Sequence, residues 1–171
     1  MTEGYAVTGF KPGWAKEWRE SASIQNQGTQ AMNEKLYQDI EVKIINPLAK
    51  MPDNSTDGKA GVELRSIERP FVIKPGDQYV IHTGLSIHLR HPNLAGLIIP
   101  RTGIGSRHGI VVGNGTSVID SDFQGEVMVC LHNRSSEPYG INFGDRVAQL
   151  LIVPIIGARF KQVDEFTDKV K

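Results

Sequence analysis

The 171 residues carry 19 lysine and arginine residues against 19 aspartate and glutamate residues, a formal net charge of zero. This balance gives no indication of a nucleic-acid or anionic-membrane partner, so we expect neither. The single cysteine, Cys130, excludes an internal disulfide, and no apolar run or signal-peptide pattern is present, so we expect a soluble, intracellular protein.

Residues 1–39 differ in composition from the rest and predict an N-terminal extension, a short helical or flexible arm. Both tryptophans of the chain, Trp14 and Trp18, lie there in a polar background. A spacing of four would place them on one face of a helix. We favour an arm that docks on the main domain, and a partner-binding helix is the alternative.

Residues 40–171 predict a single β domain. Short segments rich in apolar and β-branched residues alternate with turn signals such as KPGD, HPN, SSEP and FGD, and no long amphipathic helix interrupts them. This pattern favours an all-β sandwich or barrel. The predicted strand segments are IEVKIIN, VELRS, PFVI, QYVIHTGLSIHL, LAGLIIP, GIVVG, EVMVCLHN and RVAQLLIVPI.

Two stretches of the domain resemble each other. FVIKPGDQYVIHTGLSI (71–87) and YGINFGDRVAQLLIV (139–153) both read as a strand, a turn containing Gly-Asp, and a second strand. The similarity predicts a double-sheet fold built from similar hairpins.

PRTGIG (100–105) follows directly on an apolar strand. Arg101 and Thr102 would offer a guanidinium and a hydroxyl at the strand end, and Gly103 and Gly105 would allow close backbone approach. The segment therefore suits a phosphate group, although an ordinary exit from a strand into a loop has the same composition.

GNGTSVIDSDFQGE (113–126) predicts a hairpin whose turn holds a pocket and whose second strand presents Asp120. If Val118 shares a face with Asp120, apolar groups flank the carboxylate and partly desolvate it, as is common for a general base. We interpret Asp122 as a solvated turn residue. The histidines show no compact metal-ligand spacing.

FGDRVAQLLIVPI (143–155) places two polar residues, Arg146 and Gln149, at the start of a very apolar strand. A salt bridge at the strand start is one explanation. The functional alternative is that Gln149 points into the phosphate site of Arg101.

These segments, in this order, resemble the dUTPase family of trimeric all-β nucleotidohydrolases from about residue 40 onward. AGVEL (60–64), PRTGIGSRHGI (100–110), GNGTSVIDSDFQGE (113–126) and GDRVAQLLIVP (144–154) resemble the first four family motifs. The resemblance implies a jelly-roll-like sandwich that assembles as a homotrimer with active sites shared between subunits. It also implies hydrolysis of dUTP to dUMP and pyrophosphate, which limits uracil in DNA and supplies dUMP.

The resemblance also implies residue roles. Asp120 would hold and activate the attacking water, Asn114 would hydrogen-bond the uracil edge, and Phe123 would stack under the deoxyribose. Mg²⁺ would be the cofactor, held mainly by substrate phosphates and water rather than by a protein cage. The substrate-binding set is Arg101, Thr102, Gly103, Asn114, Ser117, Val118, Ile119, Phe123 and Gln149.

The sequence departs from the family pattern at several places. Glu63 replaces an aspartate, Thr102 a serine, Ser117 a glycine and Phe123 a tyrosine. The glycine-rich, arginine-containing fifth motif, which covers the phosphates, is missing before the sequence ends at EFTDKVK. Either the native sequence continues beyond Lys171 with that motif, or the protein works without the lid, in which case we expect retained nucleotide binding and much weaker hydrolysis.

Three alternatives remain at this stage. A dCTP deaminase shares the fold, but its catalytic glutamate would fall at Cys130. A regulatory protein that binds dUTP with weak or no turnover is the second alternative. A purely structural β-sandwich is the third, and the four ordered motifs argue against it.

Overall fold

The structure, a computed structural model, describes residues 38–53 and 58–167. All of these except residue 38 belong to one compact unit that begins at Asp39. The predicted N-terminal extension, residues 1–39, lies outside the described residues apart from its last two positions. Within the described ranges, no helix is long and apolar enough to cross a membrane.

The described part of the chain is built from ten strands and one short helix. The strand segments predicted from β-branched and apolar composition all contain strands, in the predicted order. The elements are β1 Glu41–Ile44, β2 Val62–Arg65, β3 Phe71–Ile73, β4 Gln78–His88, β5 Leu94–Pro100, α1 Thr102–His108, β6 Ile110–Val112, β7 Ser117–Ile119, β8 Glu126–Asn133, β9 Tyr139–Ile141 and β10 Arg146–Pro154.

Two antiparallel sheets of four strands form the body of the domain. The first has the order β1-β4-β8-β6 and the second the order β2-β10-β5-β7, and β3 and β9 form a separate two-stranded sheet. This architecture confirms the all-β prediction.

The core is made of aliphatic side chains that alternate along the strands. In β8, Val127, Val129 and Leu131 are buried, whereas Met128 between them is 45% exposed. Successive side chains of a strand point to opposite faces, so this strand contributes one apolar face to the core. Each fully buried aliphatic side chain of this kind stabilises the fold by about 1.5–3 kcal/mol.

The two similar stretches of sequence occupy equivalent places in the fold. Their first strands, β3 and β9, pair with each other, and Gly76 and Gly144 in the following turns both have φ of 81°. Their second strands then enter different sheets, β4 the first and β10 the second. The stretches are therefore equivalent units, but the prediction of hairpins is wrong, because β3 pairs with β9 rather than with β4.

The exit of β5 is a helix rather than the loop that its glycines suggested. Arg101 is the N-cap of α1, and Gly109 ends the helix in the left-handed conformation, with φ of 67°. Ile104 packs against the core, and the His108 ring lies 5.0 Å from the ring of Tyr139. Packing of this short helix on the sandwich offsets the poor helix propensity of its glycines.

Candidate functional site

The four motif-bearing segments lie on neighbouring strands of the second sheet. AGVEL enters β2, PRTGIG follows β5, the third segment contains β7, and GDRVAQLLIVP contains β10. These four strands make up that sheet, in the order β2-β10-β5-β7. Segments separated by up to about half the chain are thus brought to one surface by strand pairing.

Strand register places Glu63 of β2 and Gln149 of β10 side by side and brings them near the end of β5, which Arg101 follows. Gln149 of β10 pairs with Glu63 of β2 on one side and with Ile99 of β5 on the other. Directly paired residues point to the same face of a sheet, so Glu63 and Gln149 share a face. Arg101 follows Ile99 by two residues, directly after the last residue of β5.

An ion pair connects Arg101 to Glu63. The Arg101 Nε lies 2.7 Å from the Glu63 Oε2, and the two side chains are only 19% and 21% exposed. Because Oε2 accepts no hydrogen bond within the described residues, the contact is a close ion pair whose N–H does not point at the oxygen. The side chain of Arg101 also donates from Nη1 to the Arg146 carbonyl oxygen at 3.0 Å.

The guanidinium of Arg146 also lies near the Glu63 carboxylate. The Arg146 Nη1 is 3.9 Å from the Glu63 Oε1, and the Arg146 side chain is half exposed. Glu63 therefore offsets the repulsion between two cationic side chains that would otherwise separate. This contact agrees with the salt bridge that was one explanation for Arg146 at the start of β10. No functional role was predicted for Glu63, and its position in the AGVEL motif was the available signal.

Thr102 and Gly103 are exposed at the start of α1, next to this cluster. The Thr102 carbonyl oxygen accepts a hydrogen bond from the Ser106 hydroxyl at 2.6 Å. No atom of the described residues lies within 4 Å of the position that a side chain at Gly103 would take, so the backbone there is open to approach.

Tyr139 lies close enough to Arg101 for the guanidinium charge to affect the pKa of its phenol. Burial raises the pKa of its phenol, Asp145 raises it further, and Arg101 acts in the opposite direction. The phenol therefore stays neutral near the arginines and acts as a packing residue under α1.

The turn Gly113–Thr116 joins the two sheets and does not close a hairpin. β6 pairs with β8 in the first sheet, whereas β7 pairs with β5 in the second. The hairpin predicted from GNGTSVIDSDFQGE is therefore wrong, because each flanking strand has a more distant partner. Gly115 adopts φ of 78°, and its N–H donates to the Val112 carbonyl oxygen at 2.9 Å.

Two predicted substrate-binding residues contact each other across this turn. The Asn114 carboxamide donates from Nδ2 to the Ser117 Oγ at 3.0 Å, and the hydroxyl lies 3.2 Å from Oδ1, to which it donates. Asn114 is exposed and Ser117 is half-buried.

Asp120 follows β7 and is exposed in the single chain. Val118 is 63% exposed, whereas Ile119 between them is buried. The predicted apolar flank is present on the outward face, but it does not desolvate Asp120, because no residue among those that the structure describes covers the carboxylate. The Asp120 carbonyl oxygen accepts a hydrogen bond from the Phe123 N–H at 3.1 Å, which closes a turn.

Phe123 is 36% exposed. Its ring lies directly over Gly125, where a side chain would approach the ring Cζ to 2.9 Å. Glycine at position 125 therefore leaves room for the ring. The segment between β7 and β8 thus carries a partly exposed aromatic side chain.

Asp120 and Arg101 lie far apart in the same chain. Ile119 pairs with Gly96, which precedes Arg101 by five residues along β5. With a rise of about 3.3 Å per residue, the backbone of Asp120 lies roughly 20 Å from that of Arg101 along the sheet. The structure brings together Glu63, Arg101, Arg146 and Gln149, and it does not bring Asp120 to them.

Comparison with known proteins gives a consistent result. A family model described as dUTPase matches residues 48–171. The deoxyuridine 5'-triphosphate nucleotidohydrolase of Shewanella pealeana is 48% identical over 132 residues, covering 74% of this chain and 87% of that relative. The corresponding protein of Psychrobacter arcticus is 44% identical over 138 residues, covering 77% of this chain and 90% of that relative.

Solved structures show the same likeness. A dUTPase variant from phage phi11 of S. aureus, described with a structural Mg(II) ion, has a TM-score of 0.71 and 25% identity, covering 77% of this chain and all of that chain. A dUTPase variant from Staphylococcus bacteriophage 80alpha, solved with dUpNHpp, has a TM-score of 0.70 and 26% identity, again covering 77% and 100%.

Proposed function

Because the chain belongs to the dUTPase family, we propose that it hydrolyses dUTP to dUMP and pyrophosphate by in-line attack of water on the α-phosphorus. The observation that carries this proposal is the convergence of the four motif segments on neighbouring strands of one sheet. Phosphoryl transfer requires mainly positioning and charge stabilisation, which such a fixed surface supplies.

The phosphate end of the substrate would lie at the start of α1. Arg101 would contact the phosphates with its guanidinium, assisted by Thr102, the open backbone at Gly103, and Gln149. The ion pair between Arg101 and Glu63 supports this role, because it fixes one side of the guanidinium and leaves the remaining donors for an anion.

The nucleoside end would lie at the turn that joins the sheets. Asn114, Ser117 and the strand residues Val118 and Ile119 would line the uracil, and the Phe123 ring would lie against the deoxyribose. A base that covers these donors and acceptors but leaves them unpaired would bind more weakly, which would give selectivity for uracil.

Asp120 would hold the attacking water and accept its proton. Asp120 is exposed among residues 38–53 and 58–167, so exclusion of solvent from its carboxylate would come from outside these described ranges. A second copy is the source that the family resemblance favours.

We propose that the chain assembles as a homotrimer whose active sites are shared between subunits. The separation of roughly 20 Å between the backbones of Asp120 and Arg101 supports sharing, since the two residues lie at different ends of β5 and do not form one compact cluster. In a trimer, the third segment of one subunit and the second segment of its neighbour could face the same substrate.

Mg²⁺ is the proposed cofactor. No group of three or more histidine, cysteine, aspartate or glutamate side chains among the described residues could hold a metal ion. Triphosphate oxygens and water are ligands that suit Mg²⁺ without a protein cage, and the charge of the leaving pyrophosphate would be spread by the ion.

The alternatives gain no support from the comparisons. At the position where a deaminase would carry glutamate, the Cys130 thiol lies 3.6 Å from the Gln78 Oε1 and next to Gly113. A thiol in this place does not replace the proton transfers of a carboxylate, and nothing favours a purely regulatory dUTP-binding role.

An assay with dUTP, dCTP, dTTP and UTP in the presence of Mg²⁺ tests the proposal, with pyrophosphate and ammonia both measured. We expect pyrophosphate from dUTP alone. Ammonia from dCTP, or equal turnover of all four nucleotides, would contradict it.

The Asp120→Asn variant tests the assigned base. We expect turnover to fall by a factor on the order of 10²–10⁴, while binding of a non-hydrolysable dUTP analogue is largely retained. Turnover close to that of the wild type would remove Asp120 from the mechanism.

A further inference from the structure

The turn between the two sheets carries a side-chain contact that the resemblance does not explain. Ser117 stands where the family pattern has glycine, so its hydroxyl is an addition of this chain. The Ser117 Oγ lies 3.0 Å from the Asn114 Nδ2 and 3.2 Å from the Asn114 Oδ1, so it faces the end of the carboxamide that bears both atoms.

We propose that Ser117 is a positioning residue that holds the Asn114 carboxamide ready for the base of the nucleotide. This inference rests on the proposed function, because it takes Asn114 as the residue that hydrogen-bonds the uracil edge. Ser117 would act through Asn114, and its hydroxyl would not need to touch the substrate.

The geometry supports positioning rather than competition with the ligand. A carboxamide has two N–H donors and two acceptor lone pairs on oxygen. A hydroxyl placed against the edge between Nδ2 and Oδ1 engages one donor and one lone pair, and it leaves one of each. The remaining N–H and the remaining lone pair point away from each other, so Asn114 would make a single hydrogen bond to uracil, either to a carbonyl oxygen or from the N–H of the base.

The location of the two residues makes the restraint useful. Asn114 is exposed in a turn that contains Gly115 at positive φ, so its own backbone does little to hold the side chain. Ser117 begins β7, which pairs with β5 at Ile98 and is therefore fixed by the sheet. Because Ser117 is held by the sheet, its contact restricts the rotation of the Asn114 carboxamide. The side chain of Asn114 then loses less conformational entropy when the base binds.

Titration calorimetry with dUMP tests the inference through binding rather than turnover. We expect Ser117→Ala to weaken dUMP binding about fivefold, the effect of one hydrogen bond of ordinary strength. Ser117→Thr should recover most of this loss, because threonine retains the hydroxyl. In kinetics, the loss in Ser117→Ala should fall mainly on KM for dUTP rather than on kcat.

Two controls separate positioning from a general effect on the turn. Thr116→Ala removes a neighbouring hydroxyl that makes no hydrogen bond within the described residues, and it should leave dUMP binding unchanged. Inorganic pyrophosphate, which has no base, should bind equally well to the wild type and to Ser117→Ala.

A double-mutant cycle gives the decisive comparison. In an Asn114→Ala background, Ser117→Ala should cause no further loss of dUMP affinity, because the group that it positions is gone. Equal or tighter dUMP binding by the single variant, or an unchanged loss in the Asn114→Ala background, would overturn the inference. A wild-type protein that binds dUMP but does not hydrolyse dUTP would contradict the proposed function instead and leave this binding test standing.

Discussion

Glu63 lies between the two guanidinium groups of the site, with Oε2 2.7 Å from the Arg101 Nε and Oε1 3.9 Å from the Arg146 Nη1. The carboxylate and the Arg101 side chain are both about four-fifths buried, so the pair is screened less by solvent than a surface ion pair. Glu63 and the Arg146 carbonyl oxygen together therefore hold the Arg101 guanidinium in place.

Replacement of Glu63 by glutamine should disorganise the phosphate side of the site. The neutral amide keeps the size of the side chain but removes the charge that holds Arg101, so we expect kcat/KM for dUTP to fall about 10- to 100-fold. Steady-state kinetics measure this change. Glu63→Asp keeps the charge and should lose less, and equal activity of Glu63→Gln and the wild type would contradict the assigned role.

Gly84 is a position where a side chain should destabilise the fold. It has φ of 67°, and a Cβ there would lie 2.8 Å from the Ala49 Cβ and 2.9 Å from the Asn46 Cβ. Gly84→Ala combines an unfavourable backbone conformation with overpacking, so we expect a loss of about 2–4 kcal/mol in the free energy of unfolding.

Gly76→Ala is the matched control for this prediction. Gly76 also has positive φ, but within the part of the chain that the structure describes no atom lies within 4 Å of the position that its side chain would take. Only the backbone cost of about 1 kcal/mol should therefore appear. Urea unfolding of both variants at one protein concentration measures the difference. Equal losses in the free energy of unfolding for the two variants would contradict the prediction, because they would mean that Ala49 and Asn46 move aside at Gly84 without an energetic cost.

The His82–Glu126 pair predicts a dependence of stability on pH. The His82 Nδ1 lies 2.9 Å from the Glu126 Oε2, and the hydrogen bond to Glu126 raises the pKa of His82 above its ordinary value of 6.5. Burial alone would raise the pKa of Glu126, but hydrogen bonds from His82 and from the Gly84 N–H lower it below its ordinary value of 4.5.

The sign of the effect follows from these two shifts. The His82 contribution is fully present below pH 6.5 and is lost as the pH rises through the raised pKa, whereas the Glu126 contribution is present above pH 4.5 and is lost as the pH falls through the lowered pKa. The difference in Tm between the wild type and His82→Gln should therefore be largest between these values and smaller at pH 8. Because the His82 side chain is half exposed, we expect a small effect, and a difference that grows toward pH 8 would refute the assignment.

The strands could be predicted from the sequence because their signal is local. Period-two alternation, as in EVMVCLHN, and turns such as KPGD depend only on neighbouring residues. The partners of the strands could not be predicted in the same way. β6 and β7 are separated by only four residues, yet they pair with β8 and β5, because burial of their apolar faces in two different sheets outweighs the tendency of neighbouring strands to pair.

The site shows the same division between local and long-range information. The candidate residues in PRTGIG and GNGTSVIDSDFQGE were visible as motifs, but the partnership of Arg101 with Glu63 depends on the pairing of β10 with both β2 and β5. The exposure of Asp120 was also not predictable, because period-two alternation indicates which side a residue faces but not whether another surface covers it.

Complementation between two inactive variants tests the shared site most directly. Arg101→Ala and Asp120→Asn should each have little activity alone, since each lacks one essential group in every site. When equal amounts are unfolded and refolded together, about one quarter of the sites in random trimers should combine an intact Asp120 from one chain with an intact Arg101 from another, so dUTP turnover should recover to about a quarter of the wild-type rate. A mixture that stays as inactive as its two components, although it forms mixed oligomers, would contradict a site completed by two copies of this chain.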